Sequence, residues 1–459
     1  MKTFDRNSNY EFMKVIFGAT NNILRVLIIC NDFPPLNSVG ALRPFSWYKW
    51  FKEFDAEPII ITKQWKENIE LPSDVMKASD STNVVIEKND YGIVYRLPVT
   101  LIPSEKMYVR FGENKFRIFR RLLTMIYKMM SFVFFSFDKH KQIYEQARKI
   151  IRTEKIDVVL ISGEPFILFK YGYLLKKEFE IKWVADYRDA WYMNHVTSLK
   201  KDLVNRFMIW YEYQFEKKYI KNCDLIITPD PQRKELLTGL HKKKCEIIYN
   251  GFEKFLPENS TVHSETDKTL TLTHTGTLTI GQRVEFILQA IVELKNENKI
   301  QKGDILLQFI GLEYFNAQLN RVLNFNKDIA DFIKTTARLP REKALTINQS
   351  SDFLIAFTEE NNQTLFAKVY DYIASRRTIL VIPGDNGLVS EIVKQTNSGI
   401  SFNSISDLKK FLLEQIVNKK TGEKTLSFSV DEEKALFYTR KNQSKRLVNF
   451  LKQLINSTD

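Results

Sequence analysis

Thr269–Lys295 reads TLTLTHTGTLTIGQRVEFILQAIVELK, and this stretch decides how the chain folds. A β-rich run ends in Thr275-Gly276-Thr277, passes through Gly281-Gln282-Arg283, and opens into a helix whose apolar residues recur at helical spacing. A strand, a glycine turn and a helix start beside an arginine form a place for a diphosphate. Glycine lets backbone amides approach the oxygens, the helix dipole favours negative charge, and arginine adds a two-pronged clamp. Taken alone, the same pattern also describes an ordinary strand-to-helix turn. Its position gives it weight: it begins a second strand–helix series near residue 269 of 459, so the chain reads as two similar halves with a cleft between them.

The first half supports this. Leu24–Cys30 (LRVLIIC) is a continuous apolar run, as a parallel strand buried on both faces requires. Pro58–Thr62, Ile156–Ser162, Lys182–Tyr187, Asp224–Pro229 and Glu246–Tyr249 are the next strands, with helices near 41–54, 139–153, 166–178, 198–222 and 230–240. In the second half, strands are expected at Leu270–Thr275, Ile305–Ile310, Phe353–Phe357, Thr378–Ile382 and Gly399–Phe402. Helices lie near 282–298, 341–350, 364–375, 385–395 and 405–420, and Asp431–Ile455 reads as one last basic amphipathic helix. Strand–helix alternation in both halves predicts an α/β protein with two doubly wound parallel sheets, whose ligands sit at the carboxyl ends of the strands.

Composition narrows the function. Hydrophobic content of 44% and charge of 27% are those of a globular protein. Cys30, Cys223 and Cys245 are far apart, and the five histidines are scattered, which argues against a disulfide framework or a protein metal site. The start of the chain lacks the apolar core of a signal peptide, and Leu122–Phe137 is too short to cross a bilayer, so the expected address is the cytoplasm. The net charge of +13 is uneven: Ser104–Arg152 carries 12 Lys/Arg against four acids, interleaved with aromatic residues. Such a stretch docks on an anionic membrane, here the inner face of the plasma membrane, or else it is a helix pair with one face in the core and a solvated basic face. No nucleic-acid-reading motif accompanies the charge, and no nucleic-acid partner is expected.

Other candidate groups follow strand ends. Gly40, in the loop Asn31–Arg43, lets a ligand approach the first helix; Asp186-Tyr187-Arg188-Asp189 sets two carboxylates around an arginine; Asn250-Gly251 marks a turn at the junction. Lys368 and Asp371 share a helical face, suited to phosphate and ribose hydroxyls or to a plain ion pair. Pro383–Gly387 is a further turn that could border a nucleotide.

In order and spacing, RVLIICNDFPPLNSVGALR, VADYRDAWYMN, CDLIITPDPQRKELL, IIYNGFE, THTGTLTIGQR and FAKVYDYIASRRTILVIPG resemble a bacterial glycosyltransferase of the GT-B fold, in glycosyltransferase family 4. The resemblance runs from about Leu24 to the last helix. It implies a Rossmann-like acceptor-side domain over 23–255, after an extension at 1–22 and with a basic aromatic insert at 104–152. A donor domain would cover 256–428, and a helix over 429–459 would pack back on the first domain.

The implied activity is retaining, metal-independent transfer of a sugar from a UDP- or GDP-sugar to a hydroxyl of a glycan or lipid-linked acceptor, in surface polysaccharide synthesis. It needs no cofactor beyond the nucleotide-sugar. By the same resemblance, Gly40 faces donor phosphate and acceptor, Gly276, Thr277, Arg283 and Lys368 hold the diphosphate, and Asp371 grips the ribose. Asp186, Arg188 and Asp189 stand near the reaction centre. The sequence departs from the family's paired glutamates: Gln363 and Asp371 occupy the two positions, which leaves a weak or inactive nucleotide- or partner-binding relative as the alternative.

Overall fold

Continuous β-branched runs become strands buried on both faces, and they organise the whole chain. The computed structural model describes residues 23–36, 38–66, 82–189, 191, 203–257, 268–359 and 365–457. Two units result, one of Met1–Pro229, Arg233–Ile248 and Ser444–Asp459, the other of Asp230–Gln232 and Tyr249–Gln443.

The first unit is built on β1 (Leu24–Ile29), β2 (Ala56–Lys63), β3 (Val85–Asn89), β4 (Gly92–Leu97), β5 (Val158–Ser162), β6 (Lys182–Asp186), β7 (Leu225–Thr228) and β8 (Cys245–Ile247). They lie in the order β3-β4-β2-β1-β5-β6-β7-β8, parallel except for β3 against β4. Alternate residues serve opposite faces. Leu27, Ile29, Ile59 and Ile161 enter one core with the aromatic residues of the following helices, while Val26, Ile28, Ile60 and Leu160 enter the other with Trp47 and Phe51. The second core is completed from the far end of the chain by Leu447, Val448 and Leu451, and Ser444 Oγ donates to the Ser46 carbonyl at 3.3 Å.

The second unit carries β9 (Leu270–Thr275), β10 (Ile305–Ile310), β11 (Ile333–Thr336), β12 (Phe353–Phe357), β13 (Thr378–Ile382) and β14 (Gly399–Ser401). All are parallel, in the order β11-β10-β9-β12-β13-β14. Strand order reverses between β1 and β5 in one sheet and between β9 and β12 in the other. These switch points are where such sheets take ligands.

Three elements depart from the sequence reading. The β3–β4 hairpin and β11 were not expected. Asp431–Ile455 is two helices, Glu432–Leu436 and Arg440–Asn456, because Thr439 leaves the helix to pair with Phe252. The segment 104–152 forms helices Pro103–Phe111, Arg117–Val133 and Lys141–Thr153. The middle helix reaches the core through Phe132 near its end, but its earlier apolar side chains are not core: Ile118 is 85% exposed, and Phe119, Leu122 and Ile126 are exposed as well. Among the described residues, no helix is long and apolar enough to cross a membrane.

Candidate functional site

In the second unit the chain leaves β9 at Thr275 and turns at Gly276, whose φ of +95° is costly for any residue with a side chain. Its amide donates to the Ile310 carbonyl at 2.8 Å, and a Cβ built there would lie 3.6 Å from Lys368 Nζ. The loop beyond is fixed from inside and outside. Buried Gln282 accepts from the Thr279 amide through Oε1 (3.0 Å) and donates from Nε2 to the Phe357 carbonyl (2.9 Å). Arg321 donates to the carbonyls of Thr279 (3.1 Å), Ile280 (3.3 Å) and Gln282 (2.8 Å) while its fork grips Glu285 at 2.5 and 2.6 Å.

Neither role was legible as such. In the sequence Gln282 reads as part of the phosphate turn, and Arg321 arrives from a helix 39 residues further on. Arg321→Ala is expected to loosen this loop, raising KM for a nucleotide donor about tenfold with little change in kcat, the equivalent of about 1.4 kcal/mol of lost binding. Steady-state kinetics check this, and an unchanged KM would remove the clamp from the site.

Lys368 sits in the first turn of helix Ala367–Ala374, with its Nζ 3.1 Å from the Thr277 carbonyl and 3.0 Å from Nε2 of His274. His274 Nδ1 is 2.9 Å from the Ile355 carbonyl, an acceptor only, so Nδ1 carries the proton and Nε2 accepts from the lysine. Burial first, then the lysine charge, holds His274 well below the usual imidazole value, and the ring is neutral. Burial lowers the Lys368 ammonium to about 7. A desolvated cation beside a glycine turn and a helix start gains most from an arriving anion. Thr275 completes the wall: its amide donates to the Tyr372 hydroxyl at 2.9 Å.

The structure therefore brings Gly276, Thr277 and Lys368 together, with Thr277 exposed. Arg283 is also exposed, and its amide donates to the Thr358 carbonyl at 3.3 Å. Asp371 is paired with Arg341. Gln363 lies outside the described residues. In the turn Pro383–Gly387, the Asp385 carboxylate is buried and caps the next helix, accepting from the amides of Gly387 (3.2 Å), Val389 (3.2 Å) and Ser390 (3.1 Å).

In the first unit, Asp186 ends β6 with no exposure at all. It receives Arg43 through Nε (3.0 and 3.1 Å) and Nη2 (2.8 Å), and Ser162 Oγ donates to it at 2.8 Å. Arg43 also donates to the Ile248 carbonyl at 2.5 Å. Arg188 faces a different set: Asp32 at 3.2 Å, Glu164 at 2.8 Å and Asp189 at 3.5 Å. Burial alone would lower this guanidinium, but the three carboxylates outweigh it and hold it charged. Gly40 is where it is because of Arg188: a Cβ on Gly40 would fall 1.5 Å from Nη1. Arg233 donates to the Arg188 carbonyl at 2.6 Å and lies 3.5 Å from Asp189. Gly40, Arg188 and Asp189 thus form one cluster, and Asp186 belongs to a separate buried pair.

Two adjoining cavities open in the first unit beside that cluster. One, of about 450 Å³, is lined by Asp32, Lys63, Lys139, His140, Glu164 and Arg188 among others, at the strand ends. The other, of about 470 Å³, is walled by Tyr127, Phe132, Phe137, Phe166 and Trp191.

With this geometry in hand, residues 99–254 match the family model Glycosyltransferase Family 4. No curated protein matches the sequence. Among solved structures, the chain is similar to a sucrose-phosphate synthase from Thermosynechococcus elongatus (12% identity, TM-score 0.61, covering 95% of this chain and 100% of that one). It is also similar to a glycosyltransferase from Rickettsia africae (12%, 0.56, 95% and 100%). A third is an E. coli trehalose-6-phosphate structure bound with UDP-2-fluoro glucose (11%, 0.56, 94% and 99%). These likenesses give the GT-B fold, two Rossmann-like α/β domains. The family match over 99–254, about a third of the chain, adds the activity class: the chain is a GT-B-type glycosyltransferase that resembles glycosyltransferase family 4.

Proposed function

We propose that this glycosyltransferase moves a sugar, with retention and without a metal, from a UDP-sugar to a hydroxyl of a lipid-linked glycan acceptor in surface polysaccharide synthesis. The observation that carries the reading is the cradle of Gly276, Thr277 and Lys368 at the switch point of the second sheet. As the bond from the sugar C1 to the phosphate oxygen breaks, negative charge builds on the diphosphate, and Lys368 and the helix start beside it are placed to meet that charge. The acceptor hydroxyl attacks C1 on the same face and passes its proton to the leaving phosphate oxygen. Uridine is preferred over guanosine because a structure of the same fold holds a UDP-sugar. In the first unit, Arg188 and Asp189 orient the acceptor beside Gly40, and Asp186 acts through Arg43 as a positioning residue.

A thermal-shift screen with UDP-, GDP- and ADP-sugars, followed by measurement of nucleotide diphosphate release, tests this directly. Stabilisation by a UDP-sugar with release of UDP is expected. No shift and no release with any donor would instead favour the inactive relative, a reading to which the pairing of Asp371 with Arg341 lends support.

The membrane-peripheral part of the reading rests on helix Arg117–Val133, where exposed Ile118, Phe119, Leu122 and Ile126 lie among Arg117, Arg121 and Lys128. Arg120 also holds the preceding turn by donating to the Glu113 and Lys115 carbonyls, so the cleaner variant is Arg117→Gln with Arg121→Gln. Losing two surface charges should weaken sedimentation with phosphatidylglycerol vesicles by about 2 kcal/mol, roughly 30-fold. Equal partitioning of variant and wild type would remove the membrane from the proposal.

A further inference from the structure

The two cavities of the first unit are unlike in chemistry and share part of their walls, Glu105, Lys139, His140, Glu164 and Pro165. Apart from that shared wall, the aromatic one has its polar groups occupied. Trp191 Nε1 donates to Glu212 at 3.0 Å, and Lys128 closes on the same carboxylate at 2.5 Å. What remains is ring surface: Phe132 and Phe166 both stack on Trp191, at 5.7 and 5.3 Å between centroids, and Tyr127 meets Phe137 edge-on at 5.1 Å. Such a surface gains free energy only by covering apolar groups.

The polar cavity is built the other way. Its carboxylates are paired: Glu105 with Lys139 (2.5 Å), Asp32 and Glu164 with Arg188. Next to it, on the wall of the aromatic cavity, Asp138 is held by Tyr171 (2.8 Å), the His140 amide (2.9 Å) and Lys170 (3.7 Å). Lys63, only 3% exposed, bonds the Pro98 carbonyl at 3.2 Å, and burial, then the charge of Lys139, lowers its ammonium to about 8. His140, 9% exposed, has a buried Nδ1 with no hydrogen-bond partner, and it precedes helix Lys141–Thr153 without a side-chain capping bond, while the first turn of that helix holds no acid. Lys63, a buried imidazole and a helix start at one wall favour an anion, with Lys139 reaching the same wall from its bridge to Glu105.

We propose that the acceptor is a phosphate-bearing lipid, its phosphate seated against Lys63 and Lys139 and the first carbons of its chain laid on the aromatic wall of the adjoining cavity. This deepens the glycosyltransferase reading and rests on it. It also explains why the exposed apolar helix and the aromatic cavity belong to one segment: Tyr127 and Lys128 line the cavity from the helix that carries Ile118 and Phe119.

Isothermal titration of the full chain with decyl phosphate, inorganic phosphate and decanol tests it. Decyl phosphate is expected to bind at least about tenfold tighter than either of the others, and Lys63→Gln and Tyr127→Ala each to reduce that affinity about tenfold. Circular dichroism of both variants verifies folding, and Tyr127, being half-buried, covers the case in which buried Lys63 cannot be changed without loss of fold. Inorganic phosphate binding as tightly as decyl phosphate would overturn the inference in favour of a free phosphorylated sugar. Decanol binding as tightly would overturn it in favour of a neutral tail, and unchanged affinity in Tyr127→Ala would place the chain elsewhere. UDP, titrated in parallel, reads the second unit alone, so the donor reading and this inference fail separately.

Discussion

Replacing Lys368 with alanine is expected to lower turnover by two to three orders of magnitude, about 3–4 kcal/mol of transition-state stabilisation, with the thermal unfolding profile retained. The size follows from where the ammonium sits. It is 3.1 Å from the Thr277 carbonyl beside the Gly276 turn, in surroundings that leave it partly stripped of water. Charge placed there before the reaction costs no reorganisation when the diphosphate departs.

The same burial gives a pH signature with a definite sign. The free protein's Lys368 ammonium titrates at about 7, the neighbouring His274 stays neutral, and only the ammonium form attracts a diphosphate. Donor capture, read as kcat/KM, should therefore be full below that pH and fall as pH rises through it, by up to about tenfold per unit. A bound diphosphate raises the lysine's pKa, so kcat at saturation should hold to higher pH than kcat/KM. Lys368→Ala should lose this limb altogether. A wild-type profile that is flat across neutrality, or a variant that keeps the limb, would take the diphosphate away from Lys368.

The second large effect falls on stability. Arg43 and Asp186 are 2% and 0% exposed, and Asp186→Ala leaves the guanidinium buried opposite an empty space. Breaking a buried pair from one side costs about 3–5 kcal/mol. For a unit of this size that is a fall of roughly 10 °C in the first unit's unfolding transition by calorimetry, with the second unit's transition unmoved. Asp189, on the half-exposed side of Arg188, should show little of this when changed to alanine. An Asp186→Ala protein that melts like wild type but does not turn over would mean that this carboxylate takes part in the chemistry and is not a brace.

What the sequence disclosed and what it hid divide along physical lines. β12 and β13 begin and end where their apolar runs do, because a strand covered on both faces needs such a run and loses it at the first turn residue. The β3–β4 hairpin escaped notice because β3 is an edge strand exposed along its whole length, with no buried alternation to betray it. β11 is a four-residue edge strand, IKTT, too short to show a pattern. In the candidate site, Gly276, Thr277 and Lys368 were legible because each is marked by its own neighbourhood: a strand end, a turn, a helix start. Arg43, Arg321 and His274 were not, since each acquires meaning from a partner far along the chain, 143 residues for Arg43 and Asp186 and 94 for His274 and Lys368. His274 lies in the quoted stretch itself, yet its strand pattern gives no sign that a lysine will meet it.

Leu447, Val448 and Leu451 sit in the same core as Val26 and Ile28, although nearly the whole chain separates them. The ribosome makes these residues long after the rest of the first unit. After Ile248 emerges, roughly 200 further residues must be added before Ser444 follows, about 10–40 s of elongation. Throughout that interval the nascent first unit holds open an apolar seat for a helix not yet made, and a stop codon just before residue 444 would leave it permanently unfilled, a substrate for chaperones and proteases.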